Sequence, residues 1–236
     1  MTSMLPGWLR DGFVKLLQPI PRYLIASDVH PNTITTLGFL ATVSAGIMFF
    51  LAHVRIGGAL VILGGIFDIL DGQVARGSGK NSVFGSFYDS TLDRISEILV
   101  FLGIFSLYGG GHPEFSGERP QFTEEWMVYV VALAMSGSLM VSYTRARAEA
   151  LGLDCKVGLM QRAERVVLIG LASWWFGGAY GGLVLTGVLI VMAVLTNFTL
   201  FQRMVWVYRH TRSNPGTPVT VARPAVPLTP KRSINS

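Results

Sequence analysis

Charge is scarce in this 236-residue chain: Asp, Glu, Lys and Arg make up 14% of it, against 50% hydrophobic residues and a mean hydropathy of +0.48. A soluble domain carries nearer one quarter charged residues, so the composition points to a membrane protein. Cysteine is almost absent. Cys155 stands alone, which excludes an intrachain disulfide and leaves a buried, inert thiol as the expectation. The opening residues, MTSMLPGWLRDGFVKLLQPIPRYL, lack the long apolar core and small-residue cleavage site of a signal peptide. No internal repeat is evident, so an inverted-repeat transporter gains no direct support.

What is present is a series of apolar runs, each long enough to cross a bilayer core of about 30 Å. They fall at about 32–52, 56–77, 84–108, 126–150, 163–181 and 183–206. Ahead of them, Trp8, Leu9, Phe13, Leu16 and Leu17 recur at helical spacing, with Arg10, Asp11 and Lys15 elsewhere around the wheel. That pattern predicts a helix lying in the membrane interface. The fold class expected is therefore an all-α integral membrane protein: six transmembrane helices preceded by an N-terminal juxtamembrane amphipathic helix. Residues 1–30 form the interfacial segment, 31–209 the six-span domain, and 210–236 a Pro-rich tail. The tail holds Pro215, Pro218, Pro224, Pro227 and Pro230 without a periodic apolar face, and is expected to be disordered.

Six spans place both termini on one side. Of the 19 Lys and Arg residues, all but Arg55 and Arg119 fall on that side, which makes it cytoplasmic by the positive-inside rule. The expected location is the cytoplasmic membrane, with the turn between spans two and three facing the cytoplasm. A net charge of +5 and a pI near 9.6 raise the question of nucleic acid. The basic residues border membrane spans, however, and anionic lipid headgroups account for them better.

The stretch FDILDGQVARGSGKNSVFGSFYDSTLDR, residues 67–94, sets four carboxylates against this apolar background. Asp68 and Asp71 are three apart at the end of span two; Asp89 and Asp93 are four apart at the start of span three. Each spacing puts its pair on one helical face. Carboxylates beside hydrocarbon cost several kcal/mol unless compensated, and an oxygen-only donor set suits Mg²⁺ or Mn²⁺ rather than zinc or copper. Gly72 and Gly85 allow close approach of backbone or ligand, and Arg76 is placed to answer a phosphate. Together these features suggest a pyrophosphate site holding two divalent ions. Intramembrane carboxylates also mark cation-coupled transporters, but those sites lie near the midplane and these four cluster at one end.

Written as D-x2-D-G-x2-A-R-x8-G-x3-D-x3-D, the residues Asp68, Asp71, Gly72, Ala75, Arg76, Gly85, Asp89 and Asp93 resemble the complete signature of the CDP-alcohol phosphotransferase family. The resemblance runs from about Pro31 to Arg209. It implies a six-span, Mg²⁺-dependent enzyme, usually homodimeric, in which an alcohol displaces CMP from a CDP-linked lipid such as CDP-diacylglycerol. By the same resemblance Asp68, Asp71 and Asp89 bind the metals, and Asp93 also approaches the metal site and acts as general base. Asp68, Gly72, Arg76 and Ser82 are expected to hold the CDP-lipid. The opening HPNTIT of span one matches the position where relatives touch the nucleotide, making Asn32 and Thr35 candidates, with helix capping the alternative for Asn32.

The acceptor is read from SYTRARAEALGLDCKVGLMQRAERVV, residues 142–167. Arg145, Arg147, Arg162 and Arg165 lie at the ends of spans four and five, Arg203 lies at the end of span six, and Ser142 is one turn inside Arg145. Arginines on three helices suit an anionic acceptor, and a sugar phosphate fits better than neutral inositol or choline. The stretch resembles the phosphatidylinositol phosphate synthases of actinobacteria, in which the positions of Ser142, Arg145, Arg165 and Arg203 bind inositol phosphate. Arg145 departs from a usual lysine and Gln161 from a common glutamate. Glycerol 3-phosphate, the acceptor of a phosphatidylglycerophosphate synthase, remains the alternative.

Overall fold

The computed structural model describes residue 12, residues 14–109 and residues 125–213. The described residues are mainly helical, with no strand among them. A short helix α1 (Pro19–Ala26) leads into α2 (Pro31–Phe50), α3 (Val54–Ser78) and α4 (Val83–Tyr108). After residues 110–124, α5 (Glu125–Ala150), α6 (Arg162–Leu171) and α7 (Leu183–Ser213) complete the fold. A π-helical turn, Ala172–Phe176, extends α6, and a 3₁₀ turn, Ala179–Gly182, joins it to α7.

Three helices are long and apolar enough to cross a membrane by length and composition: Pro31–Phe50, Glu125–Ala150 and the run Ala179–Arg212. The other three expected spans fall short for identifiable reasons. α3 carries Arg55, Asp68, Asp71 and Arg76, and α4 carries Asp89, Asp93, Arg94 and Glu97; the residues that give these helices their chemistry lower their hydropathy. The fifth segment, expected at 163–181, is α-helical only through Leu171. At the C-terminal end, α7 continues to Ser213, past the expected boundary at Arg209. The rest of the Pro-rich tail, and Trp8, Leu9 and Phe13 of the expected interfacial helix, lie outside the described residues.

Local chemistry explains the element ends that matter for the site. Pro31 opens α2 at a position where a missing N–H costs nothing, and the His30 side chain accepts from the Asn32 backbone N–H at 3.2 Å. Asn32 is therefore not the cap; its neighbour His30 fills that role. Ser82 caps α4 by accepting from the Gly85 N–H at 2.9 Å. Gly79, at φ 68°, closes α3 in the left-handed conformation that glycine adopts without penalty.

α2 is the template of the assembly. It packs along both α3 and α4, which make their main contacts with it rather than with each other. The two aspartate-bearing helices are thus brought together by a shared partner. Where α2 crosses α4, a Cβ on Gly46 would lie 2.6 Å from the Leu99 carbonyl oxygen, and one on Gly103 would collide with the Gly46 carbonyl. Only glycine permits backbones to approach so closely. The main core (Phe49, Val61, Phe101, Ile104, Met127, Leu189 and Met192 among its members) fills the bundle away from the aspartates. A smaller cluster of Leu17, Ile34, Leu70 and Val74, with Leu24 and Ile25 packed on it, seats α1 against α2 and α3. Outside, Leu40, Trp175, Phe198 and Phe201 are among many large apolar side chains left exposed. A surface of this kind suits lipid rather than water.

Candidate functional site

The carboxylates converge between α3 and α4, against α2. Asp68, Asp71 and Asp89 each offer one oxygen, and the three oxygens lie within 4.8 Å of one another. Asp71 is buried, and the Thr35 hydroxyl donates to its Oδ2 at 2.7 Å while also bonding the Pro31 carbonyl. Asp89 Oδ1 is buried without a hydrogen-bond partner. A buried acceptor without a donor is rare in native proteins, and in a group of three carboxylates it fits a cation ligand. Oxygen-only donors suit a hard divalent ion, so the residues fit the expected metal.

Asp93 is one turn deeper and outside that group of three. Its Oδ1 lies 2.5 Å from Arg162 Nη2, and Oδ2 is 3.8 Å from Arg94 Nη1. Arg162 also reaches Asp68, at 2.8 Å through Nη1. One guanidinium from α6 thereby bridges an aspartate on α3 and another on α4. Asp68, Asp93 and Arg162 line a recess with Thr42, Ser96 and Gly64.

On the other side of the aspartates opens a cleft of about 360 Å³, lined by Asn32, Thr35, Asp71, Gly72, Arg76, Lys80, Ser82, Gly85 and Asp89. Its volume falls in the range of small-molecule sites. Thus every expected CDP-lipid contact except Asp68 lines one cavity. A Cβ at Gly85 would stand 2.9 Å from Ser82 Oγ and 3.2 Å from Asn32 Oδ1, so glycine there keeps both the cap and the opening. Lys80, at the rim, pairs with Asp28 at 2.6 Å. That bond and the ammonium charge hold the exposed Asp28 carboxyl below the usual carboxylate range.

The expected acceptor residues are dispersed over more varied surroundings. Arg165 is buried and donates from Nε to Glu97 Oε1 at 2.7 Å and from Nη1 to the Met160 carbonyl at 3.3 Å. Arg203, also buried, donates from Nε to the Val157 carbonyl at 2.9 Å and from Nη1 to that of Val141. These two arginines fasten the connection between α5 and α6 through the Val157 and Met160 carbonyls. Ser142, half-buried, follows Val141 on α5. Arg145 instead turns along its own helix to Glu149, 2.8 Å away and largely exposed.

Sequence reasoning named Arg162 only as one of a basic group and passed over Glu97. The signal for Glu97 was available: Asp89, Asp93 and Glu97 recur every four residues, one carboxylate per turn on one face of α4. For Arg162 no spacing rule singles out a partner on another helix.

Known proteins resemble the chain throughout this region. It is 39% identical over 176 residues to the archaetidylinositol phosphate synthase of Methanothermobacter thermautotrophicus, covering 75% of this chain and 82% of that protein. It is 34% identical over 214 residues to the phosphatidylinositol phosphate synthase of Streptomyces avermitilis, covering 88% and 84%. The crystal structure of Mycobacterium tuberculosis phosphatidylinositol phosphate synthase with CDP-DAG bound superposes with a TM-score of 0.70 at 27% identity, over 82% of this chain and 94% of that one. The same enzyme in complex with manganese and citrate gives 0.69 at 28% identity, over 80% and 88%. The CDP-alcohol phosphatidyltransferase family profile matches residues 28–201, and with the aspartate centre and the cleft beside it falling inside that range, the chain belongs to the CDP-alcohol phosphatidyltransferase family.

Proposed function

We propose that the protein transfers the phosphatidyl group of CDP-diacylglycerol to a hydroxyl of inositol 3-phosphate, giving phosphatidylinositol phosphate and CMP. The observation that carries this is the placement of three converging carboxylates between an open cleft on one side and buried arginines on the other. Relatives named for inositol phosphate products, and a bound CDP-DAG in one of them, support both substrates.

In this reading Asp68, Asp71 and Asp89, with Asp93 at their edge, would hold two divalent ions, Mg²⁺ or Mn²⁺. When bound, such ions neutralise a pyrophosphate and polarise its phosphoryl oxygens. Thr35 keeps the buried Asp71 carboxylate oriented toward its partners. Asn32, Gly72, Arg76, Ser82 and Gly85 receive the cytidine diphosphate in the cleft. The acceptor hydroxyl attacks the phosphorus that carries the diacylglycerol; a new O–P bond forms, the P–O bond to CMP breaks, and Asp93 takes the hydroxyl proton. Arg165 and Arg203, with Ser142 and Arg145, receive the acceptor's phosphate, an anion that planar guanidinium forks recognise well.

The proposed topology is six crossings, with both termini and the site on the cytoplasmic side of the membrane, residues 1–30 interfacial, 31–209 catalytic and the remainder a tail. The proposed assembly is a homodimer surrounded by membrane lipids, as the resemblance implies. The deciding experiment is CMP release by purified protein in detergent with CDP-diacylglycerol, comparing inositol 3-phosphate, glycerol 3-phosphate and inositol, with Mg²⁺ or Mn²⁺. Turnover with inositol 3-phosphate is expected. Turnover with glycerol 3-phosphate alone would reassign the arginines, and no CMP with any acceptor would overturn the proposal.

A further inference from the structure

Glu97 lies one turn beyond Asp93 on α4, at the end of the row that begins with Asp89. None of the chemistry above uses it. It forms an ion pair with Arg165 whose side chains are 12% and 2% exposed, the arginine being the more deeply buried. A guanidinium has five N–H donors fixed in one plane, so the orientation of Arg165 is set once two edges are bound. Nε is bound to Glu97 and Nη1 to the Met160 carbonyl. Nη2 is buried and has no partner, and neither has Glu97 Oε2. An arginine serving packing alone would have its buried donors spent, because native structures leave few of them unpaired. Glu97 and Arg165 line a cavity of about 40 Å³ together with Asp93 and Arg162.

Given the acceptor pocket proposed above, we infer that Glu97 is a positioning residue that fixes Arg165 so that its Nη2 edge is the one presented to the acceptor's phosphate. Nε–H and one Nη2–H share the side edge that faces Glu97, so an incoming anion is turned away there and admitted at the outer Nη2–H, which points away from the carboxylate. Asp93 and Glu97 are four residues apart on one helix, a rise of about 6 Å. The group that takes the hydroxyl proton and the group that orients the phosphate anchor thus belong to one rigid element. Glu97 thereby selects acceptors by the separation between their phosphate and their reacting hydroxyl.

The test is steady-state kinetics of Glu97→Gln and Glu97→Asp with both substrates varied, using whichever phosphorylated acceptor the wild type turns over. Glu97→Gln is expected to raise the acceptor KM about tenfold, with the CDP-diacylglycerol KM held within about twofold. Glu97→Asp keeps the charge and is expected to recover part of the loss. An unchanged acceptor KM in Glu97→Gln, or a parallel rise in both KM values, would overturn the inference, the second outcome marking a purely structural pair. If Glu97→Gln does not fold, the same split at smaller size is expected of Glu97→Asp, and a wild-type acceptor KM there would overturn it. Wild-type turnover with an unresponsive Glu97 would sink the positioning role alone; a wild type that uses no phosphorylated acceptor would remove the pocket on which it rests.

Discussion

The two sides of the aspartate centre are built differently. Toward α1 and the α3–α4 turn lies a cleft of about 360 Å³ walled by small residues and short polar side chains, with Arg76 and Lys80 among them. Toward α6 lies a cavity of about 40 Å³, in which Arg162, Arg165, Asp93 and Glu97 are already bonded to one another. The first side is open before any ligand arrives. On the second the protein's own carboxylates and carbonyls occupy Nε and Nη1 of Arg165 and leave its Nη2 to an anion. Preorganisation on the first side favours tight binding of one substrate, because little ordering remains to be done. On the second, acceptor affinity rests on the arginine donor that the protein's own bonds orient and leave unspent.

The variants that test this contrast differ in expected size. The largest effect belongs to the centre both sides share: Asp89→Asn is expected to lower kcat about a thousandfold, the equivalent of about 4 kcal/mol of lost charge stabilisation. Calorimetric titration with Mn²⁺ should show weakened binding in the same variant, and near-normal turnover would remove Asp89 from the centre. Next, Arg165→Ala is expected to raise the acceptor KM by about 10- to 100-fold, the range of one or two charge-assisted hydrogen bonds, and to leave the CDP-lipid KM nearly unchanged. An equal rise in both would erase the distinction between the sides. On the open side, Gly85→Ala sets a methyl against Ser82 Oγ and Asn32 Oδ1 and should raise the CDP-lipid KM about threefold to tenfold with little effect on the acceptor.

The smallest effect is expected at the rim, in Asp28→Asn, and it is visible only through pH. The Asp28 carboxyl is held below its ordinary range by Lys80, so its contribution to stability is present above the unfolded carboxylate pKa and disappears as pH falls through the lowered value. Asp28→Asn should flatten the acid limb of a thermal-unfolding profile by a barely measurable amount, since exposed pairs contribute little. A large shift would mean that this pair, rather than the cleft walls, keeps the open side open.

How much of this was legible in the sequence follows the same division. The aspartates, Gly72, Arg76, Ser82 and Gly85 lie within one short stretch, and local spacing was enough to bring them together. Thr35, on another helix, was placed by resemblance, and the structure adds its bond to Asp71. On the arginine side the partners are distant in sequence: Arg165 meets Glu97 and Arg162 meets Asp68 and Asp93. Periodicity assigns a residue to a face but not to a partner on a separate helix, so Glu97 was missed; the pairing of Arg145 with Glu149 on its own helix also went unnamed. The apolar signal of the expected spans is weakened by a related conflict. Charges needed for chemistry dilute the apolar signal of α3 and α4, and the π turn after Leu171 breaks the regular period of the fifth segment.

The crossing at Gly46 and Gly103 has a consequence for the distant carboxylates. Because α3 and α4 are both gauged against α2, the gap across which Asp71 and Asp89 face each other is a dimension inherited from how near α2 approaches each neighbour. Two missing methyl groups in the apolar half thus set how near α2 comes to α4, one of the two approaches on which the charged half depends. The bite of the carboxylate clamp is written in residues that have no side chain to offer it.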